Sequence, residues 1–491
     1  MFPNPPATEA PADPPLRIRP VVGWLLVGLL GAGLWPGCGP GAGQSENATS
    51  ESSSPRPPAR PLEVLVVDDP LIGPVMSRQF SARKNSGLNV TDISWQELAG
   101  SQFDRLDQFD VVVYPARRIG ELAAEDRLRT LEPEDLVASE SRRSVLYFDR
   151  QSLPVWGEET LGVSLGQCIP VMLCRDDVLE ATGCALPRTW EELDQLSEAL
   201  NRLPDDSLPG EIGIPLQDHW ASHMLLARAA PAVRSAGKYS ALFDVSDLQP
   251  LIDRDPWLRA LQGWARNLDP AATADSPDDV LQRFLDGQLA VALVPVHPQM
   301  VAGREPPEFG FQLAPLPGHP QTYDVSTETW GPKREGQART VPLVGSNGMV
   351  ASVVASSGRS RIAADLLAWL QDKQISSLLA QESANAGLSQ KSHLADPVRW
   401  LGDPFSPEHG LAYGELLQAA HDQRLGMLAL RIPGSDQYLD VLDQAIRDVV
   451  ADQANAVESL ASVAREWNRI SDELGRESQR TAYRRSEGLA D

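Results

Sequence analysis

Short apolar runs alternate with longer amphipathic stretches from residue 62 onward. Leu62–Val67 is apolar and β-branched, which predicts a strand, and it stops at Asp68-Asp69-Pro70. Ile72–Arg83 has helical spacing. Asn89–Ile93 and Asp110–Tyr114, the latter ending at Pro115, predict two more strands. Ile169–Cys174 predicts a fourth, followed by a short helix and a turn at Gly183. Thr189 then stands where a helix needs an N-cap, and Glu192 three residues on completes a capping box. A helix ending at Gly287 precedes a buried strand near Leu289–Leu293. Leu442, Ile446, Val449 and Val450 keep helical spacing, as do Val457, Leu460, Ala464 and Trp467. Strand–helix–strand alternation with apolar strands predicts an α/β protein with mostly parallel sheets covered by helices.

The first 61 residues have a different texture. Arg17 and Arg19 flank the apolar run Val21–Leu34, which is short for a membrane span and has the basic flank of a signal peptide. It ends at Trp35-Pro36-Gly37-Cys38, so residues 1–37 read as a signal peptide. A Cys at that point resembles a bacterial lipoprotein, which implies cleavage before Cys38 and lipidation there. Trp35 and Pro36 depart from the usual pattern, and an uncleaved signal anchor is the alternative. The Pro-rich leader before Arg17 raises the question of the true start codon. Gly39–Pro61 is Gly, Ser, Pro and Glu with almost nothing apolar, so residues 38–61 read as a disordered tether.

Removing these segments leaves about 430 residues, too many for one core, so two or more lobes are expected. The formal net charge of −24 argues against a nucleic-acid partner, because phosphate binding needs a basic surface. Cys168, Cys174 and Cys184 form no C-x-x-C pair, so no zinc site is expected. An exported location leaves open Cys174–Cys184, Cys168–Cys184 or three buried thiols.

The order of parts around Leu186–Leu193, a strand, a Gly and then "P-x-T-W-e-E-l", resembles the mid-chain signature of extracellular solute-binding proteins of ABC importers. This is the family 1 group that includes maltose-binding protein. Phe109–Tyr114, Leu122–Leu131, Phe284–Leu293, Phe309–Pro317 and Arg361–Leu370 follow in that family's order. The resemblance implies a two-lobed periplasmic-binding-protein (type II) fold with an interlobe cleft and hinge. It places residues 62–165 plus about 294–350 in lobe 1 and about 166–293 plus 351–470 in lobe 2, with 471–491 as a frayed tail. Gln321–Val341, polar and containing Trp330, reads as a surface loop longer than the family norm.

The implied function is capture of a small solute, most simply a carbohydrate, and delivery to an ABC permease by a lipid-anchored monomer. No cofactor or metal is expected. A binding protein repurposed as a sensor or assembly factor is the alternative. A hydrolase rests only on Gly162-Val163-Ser164-Leu165-Gly166, which matches G-x-S-x-G but lacks a following helix. His219 and His223 share a helix face without completing a zinc motif. For the cleft, the segment 214–220 resembles the one that carries a sugar-stacking aromatic, so Trp220 takes that role with Gln217 and Asp218 beside it. Asp68, Asp69 and Tyr114 are candidates at strand ends. His297 and Ser346-Asn347 fall where the family often has aromatics, and Trp156 is a further candidate.

Overall fold

The computed structural model describes residues 60–490 apart from 84–86, 133–134, 136–143, 204–207, 236, 335, 337, 342, 345–347 and 424. Nine strands make two main sheets. They are β1 (Leu62–Val67), β2 (Leu88–Ile93), β3 (Val111–Pro115), β4 (Val163–Ser164), β5 (Pro170–Arg175), β6 (Ile212–Gly213), β7 (Val291–Pro295), β8 (Phe311–Pro315) and β9 (Met349–Val353). The first sheet runs β2–β1–β3–β9–β4 and the second β8–β5–β7–β6. β1 pairs parallel with β2 and β3, whereas β9 returns antiparallel to β3. β5 pairs antiparallel with both β7 and β8.

The strands formed where the apolar runs predicted because both faces of each sheet are covered. Val64 and Val66 of β1 face a core with Ala363, Leu366 and Leu379, while Leu65 and Val67 face the opposite core with Trp95 and Leu98. In the second sheet Val171 and Leu173 pack with Val280, Phe284 and Leu417. The helix Trp190–Leu200 carries the predicted capping box: Glu192 N donates to Thr189 Oγ1 at 3.1 Å, and Thr189 N to the Glu192 carboxylate at 3.1 Å.

The path between sheets differs from the expected division. Phe311–Pro315, placed by resemblance in a return to the first lobe, pairs with β5 in the second sheet. Only β9 returns. The helices Ser360–Leu370 and Lys373–Glu382, expected in lobe 2, pack on the first sheet, and the chain recrosses before the helix Pro407–Asp422 covers the second. Residues 471–490 are not a frayed tail. The helix Arg476–Ser486 buries Tyr483, whose hydroxyl accepts from Leu242 N and Phe243 N at 3.3 and 3.4 Å.

Among the described residues, three crossings between the two sheets meet at glycines. A Cβ on Gly387 would lie 2.0 Å from Gln167 O, and one on Gly166 would lie 2.2 Å from Gly387 O. A Cβ on Gly348 would come within 2.9 Å of Gln167 Cβ. Leu165 and Ala386 belong to the first sheet's core, Ile169 and Leu388 to the second's.

The long segment after Gln321 carries a short hairpin, Tyr323–Asp324 with Thr329–Trp330. Trp330 donates its ring N–H to Asp255 at 2.5 Å and lies under the Arg259 guanidinium. The three described cysteines are free thiols, so neither disulfide forms, and burial pushes Cys168 and Cys174 up to about 12. Among the described residues no helix is long and apolar enough to cross a membrane.

Candidate functional site

A cavity of about 880 Å³ opens at the carboxyl ends of β1, β2 and β3. Its first-sheet wall is Asp68, Ser94, Trp95, Gln96, Arg117 and Arg118. The facing wall comes from Gln217, Asp218 and His219, which follow β6, and from Asp436, Asp440, Asp443 and Arg447 of the helix Ser435–Val450. Ligands of α/β proteins collect at such strand ends, where chain segments leave the sheet with unused polar groups.

Local structure holds the first wall in place. Asp68 has a left-handed backbone (φ 57°), and its carboxylate accepts from Trp95 N at 2.8 Å. Asn385 Nδ2 donates to Asp68 O at 3.0 Å. Ser94 caps the helix Trp95–Gly100. The Arg118 guanidinium lies over Trp95, 4.5 Å from the ring centre, so one face of that indole is already covered.

Ion pairs join the two walls. Arg117 reaches Asp436 Oδ1 at 2.9 Å, and Arg118 reaches Oδ2 at 2.7 Å. His219 lies between two carboxylates, Nε2 at 3.3 Å from Asp436 and Nδ1 at 3.1 Å from Asp443. Asp443 in turn accepts from Ser222 N at 2.6 Å, in the first turn of the helix Trp220–Val233. Burial opposes charge on His219, but hydrogen bonds to Asp436 and Asp443 outweigh it and hold the imidazolium up at about 9. Burial also opposes charge on Asp436, yet His219, Arg118 and Arg117 hold that carboxyl far below its usual range.

The sign of the pH effect follows. The folded pKa of His219 lies above its ordinary value of 6.5, so its contribution is fully present below pH 6.5 and lost as pH rises through about 9. The interval corresponds to about 3 kcal/mol, shared with its two partners. Melting temperature should therefore fall between pH 6.5 and 9, and His219→Gln should flatten that part of the profile. A wild-type profile already flat there would contradict the network.

His219, Asp440 and Asp443 place one ligand atom each within 4.8 Å of one another, a donor set a divalent cation could use. The same atoms are satisfied as ion pairs by the imidazolium. His219 lines the cavity, whereas His223 is buried and burial pulls its pKa down to about 3.

Of the residues singled out in the sequence, Asp68, Gln217 and Asp218 come together in this cavity. Asp69 is buried, accepting from the Ser383 hydroxyl and from Asn385 N at 3.2 Å. Tyr114 is buried 3.0 Å from Ser352 Oγ, and burial pushes its phenol well up. His297 is buried with Nε2 2.7 Å from Ala386 O. Trp156 is buried over Gly120. Trp220 is half-buried, its ring 4.9 Å from that of His223, and is not among the lining residues. Ser346, Asn347 and Cys38 lie outside the described residues. Ser164 is buried in β4 and the strand β5 follows it, so the G-x-S-x-G match has no elbow geometry.

Sequence reasoning missed Trp95, Arg117, Arg118, Asn385 and the helix face Asp436–Asp440–Asp443–Arg447. The last had a readable signal. Spacings of four, three and four put those charges on one face of the helix, beside the apolar stripe Leu439, Leu442 and Ile446.

Residues 80–386 match the family described as bacterial extracellular solute-binding protein. The chain belongs to that family. No curated protein matches it in sequence. Among solved structures, a solute-binding protein from Agrobacterium radiobacter in complex with ribitol is 15% identical, with a TM-score of 0.59, covering 84% of this chain and 99% of that one. Maltose-bound MalE3 of T. maritima is 14% identical, with a TM-score of 0.61, covering 84% and 100%. A protein from Agrobacterium vitis with bound D-mannitol is 16% identical, with a TM-score of 0.59, covering 85% and 99%. This solute-binding protein shares their two-lobed fold, and family and similar structures alike are binding proteins.

Proposed function

We propose that this chain captures a small polyhydroxyl solute, a sugar or polyol, in the cleft and passes it to an ABC permease without chemical change. The observation that carries the reading is the polar cavity shared between the β1–β3 strand ends and the segment after β6. Hydroxyl groups need both acceptors and donors, and Asp68, Gln96, Gln217, Asp218 and Asn385 supply them. The solved structures that hold ribitol, mannitol and maltose have the same fold, which supports this solute class. Two lobes joined at three crossings fit closure over the solute. Lipid on Cys38 would keep the protein at the membrane beside its permease, and the mass of the mature protein tests that part.

Calorimetry against ribitol, mannitol, maltose and a wider sugar panel tests the rest. For any solute that binds, Gln217→Ala should cost about 0.5–1.5 kcal/mol and Asp218→Asn about 1.5–3 kcal/mol of affinity, while leaving the empty protein's melting temperature nearly unchanged. Asparagine suits position 218 because it tolerates the left-handed backbone there (φ 49°). A solute whose affinity ignored both changes would be binding elsewhere, and the cleft reading would be abandoned.

A further inference from the structure

Arg117 and Arg118 on one side of the cleft and His219 on the other all converge on one side chain. Asp436 Oδ1 takes Arg117 at 2.9 Å and His219 at 3.3 Å, and Oδ2 takes Arg118 at 2.7 Å. We propose that these three cations form a carboxylate seat within the cleft, and that the protein's own Asp436 fills it and so selects against solutes that carry a carboxylate. The proposal deepens the cleft reading for solute choice, while the seat itself stands on the ion-pair geometry.

The seat is built rather than incidental. The Arg118 side chain is only 4% exposed, pinned over Trp95 and also bonded to Glu121 at 3.1 Å. The His219 ring is fixed from its other nitrogen by Asp443. Asp436 sits in the first turn of its helix, where backbone N–H groups already favour an anion.

The charge balance decides the selectivity. Arg117, Arg118 and His219 are matched by Asp436, Glu121 and Asp443. Asp440, 73% exposed, lies 3.9 Å from the imidazole, with Arg447 one turn beyond Asp443 on the same helix. With Asp436 in place, an arriving carboxylate would meet neutralised cations and nearby carboxylates. Without it, Arg117, Arg118 and His219 lose the one carboxylate they share, and a monocarboxylate matches that gap in charge and shape, with Asp68 and Asp440 nearby opposing its entry.

Acetate is the probe, compared with chloride at fixed ionic strength by thermal shift on wild type, Asp436→Ala and Asp436→Asn. Wild type should respond to acetate as it does to chloride. Asp436→Ala should melt lower and regain several degrees in a saturable, acetate-specific manner. D-gluconate should also stabilise it, and uncharged D-sorbitol should not act through the seat. Should the alanine variant fail to fold, Asp436→Asn, which keeps shape and an acceptor, should still show a smaller acetate-specific gain. The proposal is overturned if neither variant distinguishes acetate from chloride, or if wild type gains as much as they do. No transported solute is needed, so failure of the sugar reading and failure of the seat give different results.

Discussion

Arg431→Met should cost about 3–5 kcal/mol of folding stability, the range for removing one partner of a buried charged cluster. The guanidinium is buried, and five hydrogen bonds satisfy it. It donates to Ser152 O at 2.9 Å, Leu153 O at 3.2 Å, Val155 O at 3.0 Å and Ser486 O at 2.8 Å, and to Ser486 Oγ at 3.3 Å. Burial pulls its pKa down to about 10, with Glu487 and Tyr114 acting in the opposite direction, so it still carries its proton at neutral pH. Methionine fills similar space but donates nothing, which leaves four carbonyl groups without their donor. Chemical denaturation of the two proteins checks this, and a loss below about 1 kcal/mol would mean that water replaces the guanidinium freely.

Trp467→Ala should cost a comparable ~3–5 kcal/mol. The indole is fully buried, stacks on Phe243 at 5.0 Å between ring centres, and donates to Tyr438 O at 2.8 Å. Alanine would leave a large cavity and an unpaired carbonyl, whereas Trp467→Phe should recover part of the packing and none of the hydrogen bond. Trp220→Ala is the internal comparison. That ring is half-buried, so its removal should cost clearly less stability. Equal losses at the two positions would contradict the burial difference between them.

What could be read in the sequence was local or set by burial. The Thr189–Glu192 capping box needs only four residues, and β1, β3, β5 and β7 are buried along nearly their whole length, so their composition announces them. The route of the chain between sheets could not be read that way. Whether Phe311–Pro315 pairs with β3 or β5 depends on contacts more than a hundred residues away, and its own alternation suits either. The last helix was missed for a different reason. Alongside Tyr483 and Ala482 it buries Gln479 and Ser486, so it shows little apolar periodicity. In the cleft, Asp68 was legible as the end of a strand, whereas Gln217 and Asp218 were legible through the resemblance of the segment 214–220. Arg117 and Arg118 follow β3 just as closely, but beside Tyr114 and Pro115 they read as ordinary surface charge.

The glycine contacts at the crossings bear on how such a molecule can bend. Gly348 lies against the Gln167 and Leu153 side chains, while Gly166 and Gly387 bring main chain against main chain. Rotation of one half against the other there changes backbone torsions and slides smooth peptide surfaces, instead of pulling knobs out of holes. Closure of the kind proposed would turn on that joint as on a plain bearing. Its stiffness is set by the surfaces on either side, and so the molecule's resistance to opening resides in the side chains that span the cleft.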